Sequence, residues 1–279
     1  MNTIYQFTDE EILLHHSIDK RPNPEDFPMH AHDMCEIFYF MSGNSRYMVE
    51  GSEYPLEPGS LMLMRPAETH KLQIQADSPY ERYAIHFSPG ILKHADPQGK
   101  LLEAFFDRPL GQQNLYPRSS FRSGYVHECL NDMKTMSSDD YDRKLAILSY
   151  LFPILQEIRS AFLQKKQEAI PDVSHDVSKE LVKYINYNLS SNELSLDMLS
   201  KHFLISKCQL NRIFKQATGS TIWDYVLIKR MMAARQMLIA GKPAYEACQA
   251  CGFRDYSAFY RLYKKRFHVT PQKDSGRKK

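Results

Sequence analysis

Residues 205–222, ISKCQLNRIFKQATGSTI, and residues 254–271, RDYSAFYRLYKKRFHVTP, are two imperfect copies of one pattern. At an offset of 49, Leu210 aligns with Phe259, Arg212 with Arg261, Phe214 with Tyr263, Lys215 with Lys264 and Thr221 with Thr270. Each copy opens on a residue suited to cap a helix, Ser206 or Asp255. Each follows a short amphipathic stretch, LSLDMLSKHF or PAYEACQACGF, in which the small residues Ser200 and Cys248 allow two helices to cross closely. The pattern predicts helix, turn, helix, written twice. Between the copies, residues 221–241 predict a helix of about 18 residues, roughly 27 Å long at 1.5 Å per residue. A stiff spacer of that length can hold two recognition helices about one DNA turn apart.

Charge separates this region from the rest. Residues 176–279 hold 19 Lys and Arg against 8 Asp and Glu, a net of +11; residues 1–175 hold 17 against 25, a net of −8. A basic domain attracts polyanions, nucleic acid first. The bland alternative is a solvated basic face.

The front of the chain has a different period. Residues 28–90 contain short runs rich in Tyr, Phe, Ile and Val, broken at Gly43, Gly51, Pro58-Gly59 and Pro66. Such a pattern predicts a β-sandwich or barrel over about 1–95. From about 100 to 163 the apolar spacing becomes helical, with Leu145, Leu148, Leu151, Phe152, Leu155 and Ile158 on one stripe and Pro153 inside it. That stripe fits a dimerisation face or an intramolecular core helix equally. The polar stretch 164–176 reads as a linker to a helical domain over 177–279. The fold class is therefore α+β and multidomain. No run of about 18 apolar residues predicts a membrane span, and the acidic N-terminus lacks the features of a secretory signal. Five cysteines form no even framework, which fits a reducing cytoplasm. The CQAC at 248–251 has no second Cys pair and lies where small apolar side chains are wanted, so buried thiols are the better reading than zinc or redox chemistry.

HAHDMCE, residues 30–36, is the remaining chemical motif. On a strand, residues two apart share a face, so His30, His32 and Glu36 would point into one cavity. Two histidines and a carboxylate suit iron, zinc or manganese.

The segment EACQACGFRDYSAFYRLYKKRFHVTP resembles the second helix-turn-helix of AraC/XylS-type transcriptional regulators. The likeness rests on Cys248, Gly252-Phe253, Asp255, Ser257, Phe259, Arg261, Tyr263, Lys264 and Thr270-Pro271. Two departures stand out: His268 replaces the usual glycine closing the recognition helix, and the aromatic residue after Thr-Pro is missing. The N-terminal half resembles the cupin-type sensor domain of the same family, through H-x-H-x3-E-x6-G from His30 to Gly43, then Pro58-Gly59 and His70.

The resemblance implies a DNA-binding regulator, an activator or repressor, with no enzymatic role. It implies a double-stranded operator, a small-molecule effector such as a sugar, RNA polymerase and a second copy of the chain as partners. For base contact the candidates are Lys207, Gln209, Asn211 and Arg212 in the first unit and Tyr256, Ser257, Tyr260 and Arg261 in the second. Arginine pairs bidentately with guanine, and asparagine or glutamine with adenine. Lys215, Lys264, Lys265 and Arg266 suit phosphates. For the effector the candidates are His30, His32, Glu36 and His70, joined by Tyr47, Arg65, Tyr83 and His86. No cofactor is expected, although His30, His32, Glu36 and His70 also form a metal-ligand set. The alternatives are a metal-dependent cupin enzyme with an appended DNA-binding domain, and a constitutive regulator whose barrel takes no ligand.

Overall fold

The computed structural model describes residues 2–75, 78–134, 137–168 and 177–276. Strands begin earlier than the run of turns predicts, with β1 (Asn2–Thr8) and β2 (Ile12–Asp19) forming a hairpin. Next come β3 (Cys35–Ser42), β4 (Ser45–Val49), β5 (Ser52–Pro55), β6 (Leu61–Met64), β7 (His70–Ile74), β8 (Tyr80–Phe87) and, after a short helix α1 (Glu103–Phe106), β9 (Leu115–Tyr116). They make a six-stranded sheet in the order β1-β2-β8-β3-β6-β9 and a three-stranded sheet in the order β5-β4-β7. Every pairing is antiparallel.

Alternation along β3 explains how the two sheets pack. Phe38 and Phe40 enter an inner core with Tyr47, Val49, Met62, Met64, Leu72, Ile74 and Tyr80. Cys35, Ile37 and Tyr39 face the other way, into a core shared with the helices. A strand thus serves two cores because its side chains alternate.

The helices on that outer face are α2 (Tyr125–Asp132) and α3 (Asp140–Glu168). In α3, Leu151, Ile154, Leu155, Ile158 and Phe162 are fully buried in the shared core. Leu148 and Phe152 pack against it, whereas Tyr141 and Leu145 stay exposed. Most of the predicted stripe is therefore intramolecular core. By length and composition α3 is apolar enough to cross a membrane, but its Leu151, Ile154, Leu155, Ile158 and Phe162 are already buried in the shared core. The expected linker starts too early: residues 164–168 continue α3, as Gln, Lys and Glu favour a helix. Its remainder, 169–176, lies outside the described residues.

The basic half is entirely helical: α4 (Val177–Tyr187), α5 (Leu196–Phe203), α6 (Lys207–Thr218), α7 (Ile222–Ile239), α8 (Ala244–Ala250), α9 (Tyr256–Phe267) and α10 (Pro271–Asp274). Two cores form, one around Leu199, Leu210, Phe214 and Tyr225, the other around Cys248, Phe259 and Tyr263. Helix α7 contributes to both. From its middle, Arg230 donates to the carbonyls of Leu189 and Ser191 in the first lobe and Gly252 in the second, at 2.7–2.8 Å.

Candidate functional site

Helices α5 and α6, and α8 and α9, are the two helix-turn-helix units. The Ser206 hydroxyl accepts from Gln209 N, and the Asp255 carboxylate from Ser257 N, so both second helices start on a side-chain cap. The turns are closed alike as well. Ser200 Oγ donates to the Ile205 carbonyl at 2.7 Å, and Cys248 Sγ lies 4.0 Å from the Phe253 carbonyl. Burial pushes the Cys248 thiol up and the Cys251 thiol up to about 11. Both are protonated packing groups at neutral pH.

Arg212, Lys215, Arg261, Lys264 and Lys265 are exposed on α6 and α9. Gln209 and Ser257 are exposed on the first turns of those helices. Lys207 is exposed and paired with Asp197 at 2.6 Å. Tyr260 is half-buried, and the half-buried Tyr256 accepts a hydrogen bond from Gln272. Asn211 is differently occupied: its amide oxygen accepts from Ile222 N at 3.2 Å, capping the start of α7. Arg266, expected on phosphates, is half-buried and reaches towards the barrel, donating to the Ala31 carbonyl.

At one end of the barrel, a second cluster forms. Glu36 on β3 is 3% exposed. Its Oε2 lies 2.9 Å from His32 Nε2, 3.2 Å from His70 Nε2 and 3.5 Å from His86 Nε2. His70 Nε2 also lies 3.1 Å from His30 Nε2. The opposite ring nitrogens are committed. Nδ1 of His30, His32 and His70 faces the carbonyls of Pro28, Met34 and Glu68 at 2.8–3.0 Å. A carbonyl only accepts, so each of those Nδ1 atoms carries the proton. In neutral form, His32 and His70 would then aim Nε2 lone pairs, rather than N–H groups, at the carboxylate, and His30 aims its own at His70.

Such an arrangement demands positive charge. Burial alone would raise the Glu36 carboxyl; the surrounding His86, His32 and His70 overcome it and hold the group well below its ordinary value. Burial also opposes protonation of His70, yet Glu36 wins there and raises it. At His32 burial prevails and lowers it, against the pull of Glu36. The raised His70 favours a proton on Nε2, which suits its contacts to Glu36 and His30, while the His32 Nε2 lone pair still faces the same oxygen. Among the described residues, His86 Nδ1 is buried with no hydrogen-bond partner. The ligand atoms of His32, Glu36 and His86 lie within 4.8 Å of one another. Three imidazoles, two of them fixed through Nδ1, and one carboxylate fit a divalent transition metal.

Tyr47 also enters the barrel interior, its ring 5.9 Å from that of His70. Two sequence-predicted members do not join. Tyr83 is three residues from His86 on β8 and so faces the opposite side of the sheet, stacking on His16 at 3.8 Å and donating to Asn131. Arg65 reaches outward to the carbonyls of Phe106 and Arg108.

Residues 17–137 match the family described as AraC-like ligand binding domain, and residues 199–276 match a helix-turn-helix domain family. The chain is 25% identical over 263 residues to the HTH-type transcriptional activator RhaS of Escherichia coli O6:H1, covering 92% of this chain and 90% of that one. A solved AraC-type regulator from Chromobacterium violaceum is 32% identical over 35% of this chain and 87% of its own, with a TM-score of 0.32. ToxT from Vibrio cholerae with bound unsaturated fatty acid is 12% identical over 96% of each chain, with a TM-score of 0.37. With its paired helix-turn-helix units behind a cupin-like barrel, this chain belongs to the AraC family of DNA-binding transcription regulators, a family of regulators rather than enzymes.

Proposed function

We propose that this regulator receives its signal at the cluster of His32, Glu36, His70 and His86, and that the cluster takes up a divalent transition metal ion. The observation carrying this reading is the convergence of three Nε2 atoms within 3.5 Å of one carboxylate oxygen. Bound there, the ion would supply positive charge to the Glu36 carboxylate and to the His32 Nε2 lone pair facing it. His30, on His70, would orient the set.

A polyhydroxylated effector such as a sugar is the second reading, because hydroxyls also donate to carboxylate and imidazole acceptors. Large side chains, among them Phe38, Phe40, Tyr47, Met62 and Tyr80, occupy the interior beyond the cluster, which favours the smaller ligand. On DNA, α6 and α9 read base edges through Arg212 and Arg261, with Lys215, Lys264 and Lys265 on phosphates. We also propose a homodimer formed through the exposed Tyr141–Leu145 end of α3, RNA polymerase as partner of the output, and the cytoplasm as its place.

Metal analysis of the full chain tests the reading. About one equivalent of zinc, iron or manganese is expected by the count of one four-ligand site. Replacing His32 with Ala should abolish uptake while salt-sensitive DNA binding persists. Absence of metal, together with a sugar that shifts thermal stability only when His32 is intact, would instead establish the second reading.

A further inference from the structure

Helix α7 meets the barrel through a buried ion pair joining the two halves of the chain. Glu50 stands in the β4–β5 turn with φ of 48°, followed by Gly51 at 84°. Such turns ordinarily take Asn, Asp or Gly at the first position, so a glutamate there is strained. Its carboxylate is what the position serves. Oε1 accepts from Thr69 N at 2.7 Å and from Lys229 Nζ at 3.0 Å, and Oε2 accepts from the Tyr225 hydroxyl. Lys229 also donates to the Ala67 carbonyl at 2.7 Å. Glu50 is 4% exposed and Lys229 8%. Removing one partner of a buried pair leaves an uncompensated charge. The halves are therefore stable either fully docked or far enough apart for water to reach both groups.

Residues 29–33 connect this contact to the cluster. His30 and His32 turn towards the cluster, His32 half-buried and His30 at its exposed rim. Between and beside them, Met29 packs against the first DNA-binding lobe, and Ala31 packs with Ile228 and Met232 of α7. Asp33 pairs with Arg235 of α7 at 3.2 Å. Backbone bonds tie the segment to its neighbours: His30 and His70 exchange N–H to carbonyl bonds at 3.0 and 2.9 Å, and the His32 carbonyl accepts from Ala67 N at 2.8 Å. Alternation in an extended segment sends successive side chains to opposite faces. One short strap thus presents imidazoles to the cluster and packing groups to the DNA-binding half.

We infer that this strap couples cation uptake at the cluster to docking of the DNA-binding half, with Glu50–Lys229 as the releasable latch. The coupling rests on the cluster taking up a cation. Docking holds the strap with both imidazoles turned to the cluster, so the ordering that a bound ion requires is already in place. By reciprocity, the ion stabilises the docked form by the same factor.

The test uses the full chain, zinc as the probe, and the variants Glu50→Gln and Lys229→Met. Zinc affinity is read by competition with a chromophoric chelator, and compactness by small-angle scattering. Both variants should have a larger radius of gyration and bind zinc about tenfold more weakly, within the usual span of coupling between sites. Zinc should draw them back towards the wild-type size. Glu53→Gln, which breaks an exposed pair with Arg46 on the same hairpin, should change neither reading. Unchanged size in both latch variants overturns the latch, and expansion with wild-type zinc affinity overturns the coupling. Zinc binding is read first on the wild type. A wild-type chain that takes up no zinc sinks the metal reading and the coupling together, while the scattering data still decide the latch.

Discussion

The two helix-turn-helix units carry the same plan and diverge in how each satisfies and closes its backbone. At matched positions, Thr221 and Thr270 cap the following helices by accepting from Asp224 N and Lys273 N. The next residue is Ile222 in the first copy and Pro271 in the second. Ile222 has a backbone N–H, and Asn211 satisfies it. Pro271 has none, so the position matching Asn211 needs no acceptor and holds Tyr260. Proline at the first helical position removes a donor that would otherwise need a partner. The copies also close differently. Gly219 ends α6 at φ of 77°, whereas His268 ends α9 at 58°. What stays constant is the fully buried aromatic pair Phe214 and Tyr263, and the exposed pair Arg212 and Arg261. Packing and surface charge are shared between the copies; backbone satisfaction is solved separately in each.

The strongest way to break this equivalence is to empty the two cores. Phe214→Ala and Tyr263→Ala should each destabilise by about 3–5 kcal/mol in urea unfolding of the full chain. A cost under about 1 kcal/mol at either position would mean that the lobe collapses around the gap, and the copies would not be equivalent in packing.

Next are the arginines. Arg212→Ala and Arg261→Ala should each cost on the order of 1–3 kcal/mol at the operator and relax preference at one base position each. Lys265→Ala should weaken all sequences evenly. Selection of bound sequences from a random pool reads this directly. Uniform losses for all three would make both arginines phosphate contacts.

A smaller effect sharpens the difference at the cap. Asn211→Ala strands the Ile222 N–H and should cost about 1 kcal/mol of stability. Tyr260→Ala leaves no such orphan and should cost less. Comparable losses would assign the Asn211 effect to packing.

The smallest effect concerns the closing residues. His268→Gly should stabilise by about 0.5 kcal/mol, since a left-handed position favours glycine even against its greater freedom in the unfolded chain. Gly219→Ala should have the opposite sign. It adds the same strain, and its new Cβ would sit 2.7 Å from Lys71 Cδ. A destabilised His268→Gly would show that the imidazole contributes more than its backbone strain removes.

The repeat made the basic half legible because helical period, caps and turn residues are local signals. Residue spacing brought His30, His32 and Glu36 together and the cupin resemblance added His70, although His30 and His32 precede β3 rather than lie on it. Tyr83 was misassigned although the needed rule was at hand: an odd separation from His86 on one strand puts the two on opposite faces. Arg65 escaped such a rule, because its partners Phe106 and Arg108 come from the end of α1 and the loop after it, some forty residues away. Asn211 looked like a base reader because nothing local reveals that the next helix begins beside it. Glu50 carried no visible signal, since its partners are 175 and 179 residues distant.

Helix α7 buries ten of its 18 residues, around almost its whole circumference. Each side is spoken for: one lobe, the other lobe, or the barrel. Such a helix tolerates a change of side chain far better than a change of length. One inserted residue would turn everything beyond it by about 100° and advance it by about 1.5 Å. The second reading unit would then point away from the groove, and Lys229, Arg230 and Arg235 could no longer all meet their partners. Deletions and insertions should therefore accumulate in the connections around 188–195 and 240–243, while α7 keeps its register as a screw of fixed phase.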